Sequence, residues 1–221
     1  MADSLVVQTC NLHLKSDRGA DLFRGLDFTL ESGKSVVISG PAGSGKTLLA
    51  ELFVGLRFPA SGSVTVLGRI LRRGANRKIE QVRRKIGGVG GIFGLVPSFT
   101  AAENIMYPLV LTGVRRKVRR ERLMKMLAEF SLLKQASEYP RTLTRVESTL
   151  VQLARASVAN QPLMIIDEPS AGLDVATSER VFKHLVNASL SGRSMIILAS
   201  ERPPHTIPNT DYLQIANGEL V

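Results

Sequence analysis

Gly40-Pro41-Ala42-Gly43-Ser44-Gly45-Lys46-Thr47 fits G-x-x-x-x-G-K-[ST], the phosphate-binding P-loop pattern. Ser35–Ser39 before it reads as a buried strand, and Thr47–Phe53 after it as a helix, which is the context the pattern requires. Glycines let backbone N–H groups wrap a phosphate without Cβ clashes, and the helix N-terminus adds partial positive charge. Lys46 is expected to reach the β- and γ-phosphates, and the Thr47 hydroxyl to ligate Mg²⁺. A chance glycine-rich turn would not carry both flanks.

The 221 residues suffice for one substantial core with a small lobe. A single cysteine, Cys10, excludes an internal disulfide framework and suits a reducing compartment. Met1–Ser4 shows no start of a signal peptide, and no apolar run is long enough to span a bilayer. A membrane role therefore has to run through a partner or a surface. The net charge of +10 concentrates in Arg69–Lys85 and Arg115–Arg122. Such runs are most often solvated helix faces, and they also suit a phosphate-rich membrane surface. No aromatic residues are interleaved to stack bases, which argues against nucleic acid as the partner.

Leu5–Gln8, Leu26–Leu30 and Ser63–Leu67 read as strands around the P-loop, a small β-rich lobe. In Ile86–Gly94, Gly88-Val89-Gly90 begins like a dinucleotide fingerprint, but Phe93 stands where the third glycine is needed. Thr100–Glu103 is a capping box opening a helix, and Arg116–Phe130 and Arg145–Asn160 are two more helices. Residues from about 87 to 160 thus read as a helical insertion in an α/β core. Pro162–Asp167 restarts that core, followed by a helix over Asp174–Leu190, a strand over Ser194–Ala199 and a closing hairpin turning at Asn217-Gly218. Strands alternating with helices around a P-loop imply a parallel α/β sheet.

Asp167 ends a hydrophobic strand, where open α/β sheets bind ligands, and is the expected Mg²⁺ partner of Thr47. Glu168, one residue on, is the candidate catalytic group that polarises the attacking water.

With these residues in hand, the chain resembles the nucleotide-binding subunits of ABC transporters over its full length. The resemblance rests on the P-loop, on Ile166-Asp167-Glu168-Pro169, on Ser170-Ala171-Gly172-Leu173-Asp174, on Tyr139-Pro140 with Gln152–Ala156, and on Asn217–Val221. It looks most like the branch serving lipoprotein release, lipid transport and cell division. It implies a single nucleotide-binding domain over residues 1–221, with a RecA-like P-loop NTPase core, a β-subdomain and a helical subdomain at about 87–160. It also implies ATP and Mg²⁺ as cofactors, held between two head-to-tail subunits in a homodimer or with a second ABC ATPase. Integral-membrane permease subunits are the implied partners, and the cytoplasmic face of the inner or plasma membrane the implied location.

Several positions depart from the pattern. Leu143-Thr144-Arg145-Val146-Glu147 stands where the signature Leu-Ser-Gly-Gly-Gln is expected, so Arg145 and Val146 obstruct close backbone approach and Glu147 brings negative charge toward a triphosphate. Gly91 stands at the Q-loop glutamine, and Glu201 at the switch histidine. An ionised Glu only accepts where a histidine would donate, and His205 lies beyond Pro203-Pro204. No aromatic residue precedes Phe23 to stack on adenine. The expectation is an ATP-binding subunit with slow or partner-dependent hydrolysis. The alternative is a regulator that binds ATP without cycling.

Overall fold

The computed structural model describes residues 5–221; the signal-peptide reading of Met1–Ser4 lies outside the described residues. Strands β1 (Leu5–Lys15) and β2 (Asp21–Glu31) are followed by β3 (Ser35–Ser39), helix α1 (Lys46–Phe53), β4 (Ser61–Val66) and β5 (Arg69–Ile70). Next come α2 (Asn76–Arg83), β6 (Ile86–Val89), a 3₁₀ turn at Gly91–Phe93, α3 (Ala101–Leu111), α4 (Arg116–Glu129) and α5 (Arg145–Val158). The chain ends with β7 (Leu163–Asp167), α6 (Val175–Leu190), β8 (Ser194–Ala199), β9 (Thr210–Ala216) and β10 (Glu219–Leu220).

Two sheets result. The antiparallel one has the order β2-β1-β4-β5; the other runs β10-β9-β3-β8-β7-β6 and is parallel except for β10. Strands β3, β7 and β8 are buried at nearly every position because both faces of their sheet are covered, and their centres are accordingly apolar. Alternation divides their side chains: Val36, Ile38, Ile165, Ile196 and Leu198 join α1 and the antiparallel sheet in one core. Val37, Met164, Ile166, Met195 and Ile197 join α3, α5 and α6 in the other.

Three elements differ from the sequence reading. β1 and β2 are eleven residues each, longer than the runs seen in the sequence. A bulge between Thr9 and Leu12 places Asn11 at φ 44°, with its N–H donating to Asp27 Oδ1 at 2.7 Å, so the alternation breaks mid-strand. Ile86–Val89, placed at the start of the helical stretch, is instead the edge strand of the parallel sheet, paired with β7. Two glycines among its four residues conceal it; an ideal Cβ at Gly87 would come within 2.3 Å of the Ala156 carbonyl oxygen of α5.

On the helical side, Glu129 of α4, Ser157 of α5 and His184 of α6 form a hydrogen-bonded line. His184 Nδ1 lies 2.6 Å from Glu129 Oε1, and its Nε2 lies 2.7 Å from Ser157 Oγ. A carboxylate only accepts, so Nδ1 carries the proton and Nε2 accepts from the hydroxyl. Burial holds the imidazole below its ordinary pKa, outweighing the pull of Glu129, and the Arg193 charge adds to the lowering. The unfolded chain therefore takes up the second imidazole proton first, and stability present above the ordinary histidine value, about 6.5, is lost as pH falls from there through the lower folded value. The urea midpoint should drop over that range in wild type, and the drop should be smaller in His184→Gln.

Candidate functional site

Strand register assembles the site. Ser39 pairs with Ala199, and Leu198 with Asp167, so β3, β8 and β7 end level with one another. The loops that follow carry the P-loop, Ser200 and Glu168 to the same edge, outside the carboxyl ends of the strands.

Gly40–Thr47 bends into α1, with Gly45 in the left-handed region at φ 101° as its N-cap. A Cβ at Gly45 would also stand 2.9 Å from the Phe23 ring, so only glycine fits there. Phe23 is fully buried beneath the loop and is no stacking surface for a base. Pro41, Ala42 and Gly43 are exposed, and Gly43 has open space around it. The first amides of α1 have no intrahelical acceptor, which makes this turn a ready anion site. Lys46 is buried, and its Nζ donates to the carbonyls of Gly40 at 2.6 Å and Pro41 at 3.1 Å.

Residues 120 positions apart then meet: Thr47 Oγ1 donates to Asp167 Oδ2 at 2.9 Å. Glu168 Oε1 lies 3.9 Å from Lys46 Nζ and accepts from Ser200 Oγ at 2.5 Å. Glu168 itself sits at φ 55°, an uncommon conformation for a residue with a side chain, and its N–H donates to the Leu198 carbonyl at 2.8 Å. Burial pushes the Asp167 carboxyl above the usual carboxylate range; the Thr47 hydrogen bond opposes this, the Glu168 charge adds to it and Lys46 offsets it. Asp167 Oδ1 is buried without a hydrogen-bond partner. An orphaned carboxylate oxygen beside a threonine hydroxyl is a hard-oxygen pair, the donor type Mg²⁺ selects. These residues fit that ion.

The cavity over the P-loop, about 520 Å³, is lined by Ala42, Gly43, Lys46, Thr47, Asp167 and Glu168 and extends along Ser16–Arg18. Asp17 is tied by Arg57, which donates to it and to Glu51 of α1, both at 2.8 Å. That end offers Leu22 and the arms of Asp17 and Arg18 rather than a ring.

The departures take definite forms. Thr144 is the N-cap of α5: its hydroxyl accepts from the Glu147 amide at 3.2 Å, and the Glu147 carboxylate accepts from Thr144 N at 2.8 Å. Glu147 also accepts from Gln135 at 2.8 Å, so its charge is turned back into the cap rather than outward as the sequence reading had it. These bonds hold its carboxyl below the ordinary range. The signal was present, since Thr144-Arg145-Val146-Glu147 is an S/T-x-x-E pattern. Glu201 is exposed and the His205 ring packs tilted against Phe182, centroids 4.9 Å apart. Ser200, which no motif had marked, is the residue beside Glu168.

The family model described as ABC transporter matches residues 23–171, more than half of the chain. The chain belongs to this family. It is 36% identical to the lipoprotein-releasing system ATP-binding protein LolD of Bacteroides thetaiotaomicron over 75% of this chain and 76% of the relative. It is 33% identical to the LolD of Legionella pneumophila strain Lens over 81% and 80%. Among solved structures, the ATP-binding cassette MJ0796, a dimer in a post-hydrolysis state bound to ADP and Pi, superposes with a TM-score of 0.82 at 25% identity, covering 97% of this chain and 96% of that one. This chain is therefore the ATP-binding subunit of an ABC transporter, built on the RecA-like ABC ATPase fold. No helix among the described residues is long and apolar enough to cross a membrane.

A buried charge with one oxygen unpartnered lowers stability, and sign and site can be tested together. Because Asp167 binds its proton more tightly folded than unfolded, its contribution to stability is lost as pH rises from the ordinary carboxylate value through the folded one. In metal-free buffer at pH 7, Asp167→Asn should melt above wild type, with the advantage shrinking toward acid pH. In Mg-ATP the order should reverse.

Proposed function

We propose that this subunit binds Mg-ATP through Gly40–Thr47, Asp167 and Glu168 and hydrolyses it slowly, using binding more than turnover to move a membrane permease. The observation that carries this reading is the contact of Thr47 with Asp167 at 2.9 Å, with Glu168 standing between Lys46 and Ser200. The P-loop amides and Lys46 would grip the β- and γ-phosphates, and Thr47 and Asp167 would hold Mg²⁺. When bound, that ion neutralises phosphate charge. Glu168 takes the water proton as the water oxygen bonds to the γ-phosphorus. The bridging oxygen leaves on ADP with the electron pair.

Slow turnover follows from what is missing at the terminal phosphate. Gly91 brings no side chain, Glu201 is exposed and acceptor-only, and the Thr144 hydroxyl is engaged in a cap. ABC ATPases work as pairs and with permeases; for this chain we take a dimer, of two copies or with a second ABC ATPase, on the cytoplasmic face of the membrane. Arg116, Lys117 and Arg120 line an open surface on α4 beside the exposed Met124, which suits contact with anionic lipid.

With Mg-ATP at about a hundred times Kd, wild type should gain roughly 2.7 kcal/mol of stability, and Lys46→Ala should lose most of it. Glu168→Gln should keep the gain while phosphate release falls about 10²–10⁴-fold. Wild-type release in the reconstituted complex should lie below the usual range of about 1–10³ s⁻¹. Release within that range would refute slow turnover. Stabilisation with no release at all, before or after reconstitution, would favour the non-cycling regulator.

A further inference from the structure

Position 91 opens onto unused space. An ideal Cβ on Gly91 meets nothing within 4 Å, and the residue borders a second cavity of about 330 Å³ whose far wall is α5. Arg145, Ser148, Thr149 and Gln152 all line it. They stand at i, i+3, i+4 and i+7, one stripe along the helix. Each carries an N–H or O–H donor, although that of Thr149 is given to the Arg145 carbonyl at 3.0 Å. The opposite wall is Asp167 and Glu168, which also line the cavity over the P-loop, so the two cavities meet at the carboxylate pair. Lys46 Nζ stands 3.9 Å from Glu168, which puts the terminal-phosphate end of the P-loop at that seam.

Gln152 is fixed there from below. Its Oε1 accepts from Gly90 N at 2.8 Å, which leaves the two Nε2–H donors outside that bond. Gly90, at φ 115°, lies so close to the acidic residue that a Cβ on it would stand 2.7 Å from Asp167 Cβ. The carboxamide is therefore one backbone's width from Asp167. Arg155, three residues on, donates to the carbonyls of Phe93 and Gly94 and holds the rest of the same loop. Arg145, at the head of the stripe, lies beside Gly172 in the loop after Glu168.

We propose that Gln152 is a terminal-phosphate residue of this subunit: from α5 its Nε2 donates to the γ-phosphate or the water at Glu168, the contact that position 91 does not supply. The proposal rests on the reading of Asp167 and Glu168 as a Mg-ATP site. Amide N–H groups suit phosphate oxygens and water lone pairs, and an acceptor bond to Gly90 keeps them aimed without an ordering cost at the moment of binding.

The test compares Kd for ADP with Kd for a non-hydrolysable ATP analogue, both with Mg²⁺, by calorimetry on the full chain. Gln152→Ala removes donor and acceptor; Gln152→Glu keeps an acceptor for Gly90 N and removes the donors. Both should lose roughly tenfold of the preference for the triphosphate, the scale of one hydrogen bond to a charged group, with ADP affinity within about twofold of wild type. Adding Gly91→Gln to Gln152→Ala should restore the preference, since position 91 has room and an ordinary φ. Wild-type preference in Gln152→Glu would overturn the proposal, as would an equal loss for ADP or a failed rescue, because each assigns Gln152 to loop support alone. If wild type itself binds neither nucleotide and Lys46→Ala changes nothing, the Mg-ATP reading fails instead.

Discussion

The site depends on the level ending of three parallel strands. Side chains in a parallel sheet are placed by register, and a one-residue slip would send Asp167 to the opposite face. Here Ser39, Ala199 and Asp167 end within a residue of one another, pinned by apolar residues buried on both faces. Thr47 then reaches Asp167, and Ser200 reaches Glu168, without any long side chain having to search for its partner. Two independent cores clamp this register, one under the antiparallel sheet and one under the helices. Disturbing either core moves the same few polar atoms.

That precision carries a stability cost. Asp167 is buried with Oδ1 unpartnered, Glu168 adopts a left-handed backbone, and the two carboxylates are adjacent. Thr47 does not require an acid at 167, since an amide oxygen would accept its hydroxyl equally well. Local penalties of this kind persist where a ligand relieves them, and a dication would relieve two of them, the unpartnered oxygen and the adjacent carboxylate charges. The strain and the chemistry therefore point to the same ligand from different directions.

Much of this was legible in the residues. A strand, a glycine-rich turn and a helix declare the P-loop, and four apolar residues followed by Asp167-Glu168 declare the second half of the site, because both patterns are local. What could not be read was set by distant packing or by a broken pattern. β6 hides behind Gly87 and Gly88, which are small because α5 and Phe93 press against them. β1 and β2 run past the bulge at Asn11, where alternation fails. Ser200 gains its place only through register. Glu147 occupies a motif position and completes a capping pattern at once, and it is the cap that sets where its charge lies.

The same helix explains why the altered positions belong together. In α5 the cap at Thr144 and Glu147 consumes the polar groups at the very tip, and Arg145 excludes close approach of another backbone there. A donor to a phosphate from this helix would then come from its side, and Arg145, Ser148 and Gln152 line the cavity that Asp167 and Glu168 close. A donor on a loop can move alone, whereas donors on one helical stripe move only when the helix moves. α5 is also wedged between α3, α4 and β6, so its motion is the motion of the helical half of the chain. Contact with a terminal phosphate made from this stripe would therefore tie nucleotide state directly to the position of that half.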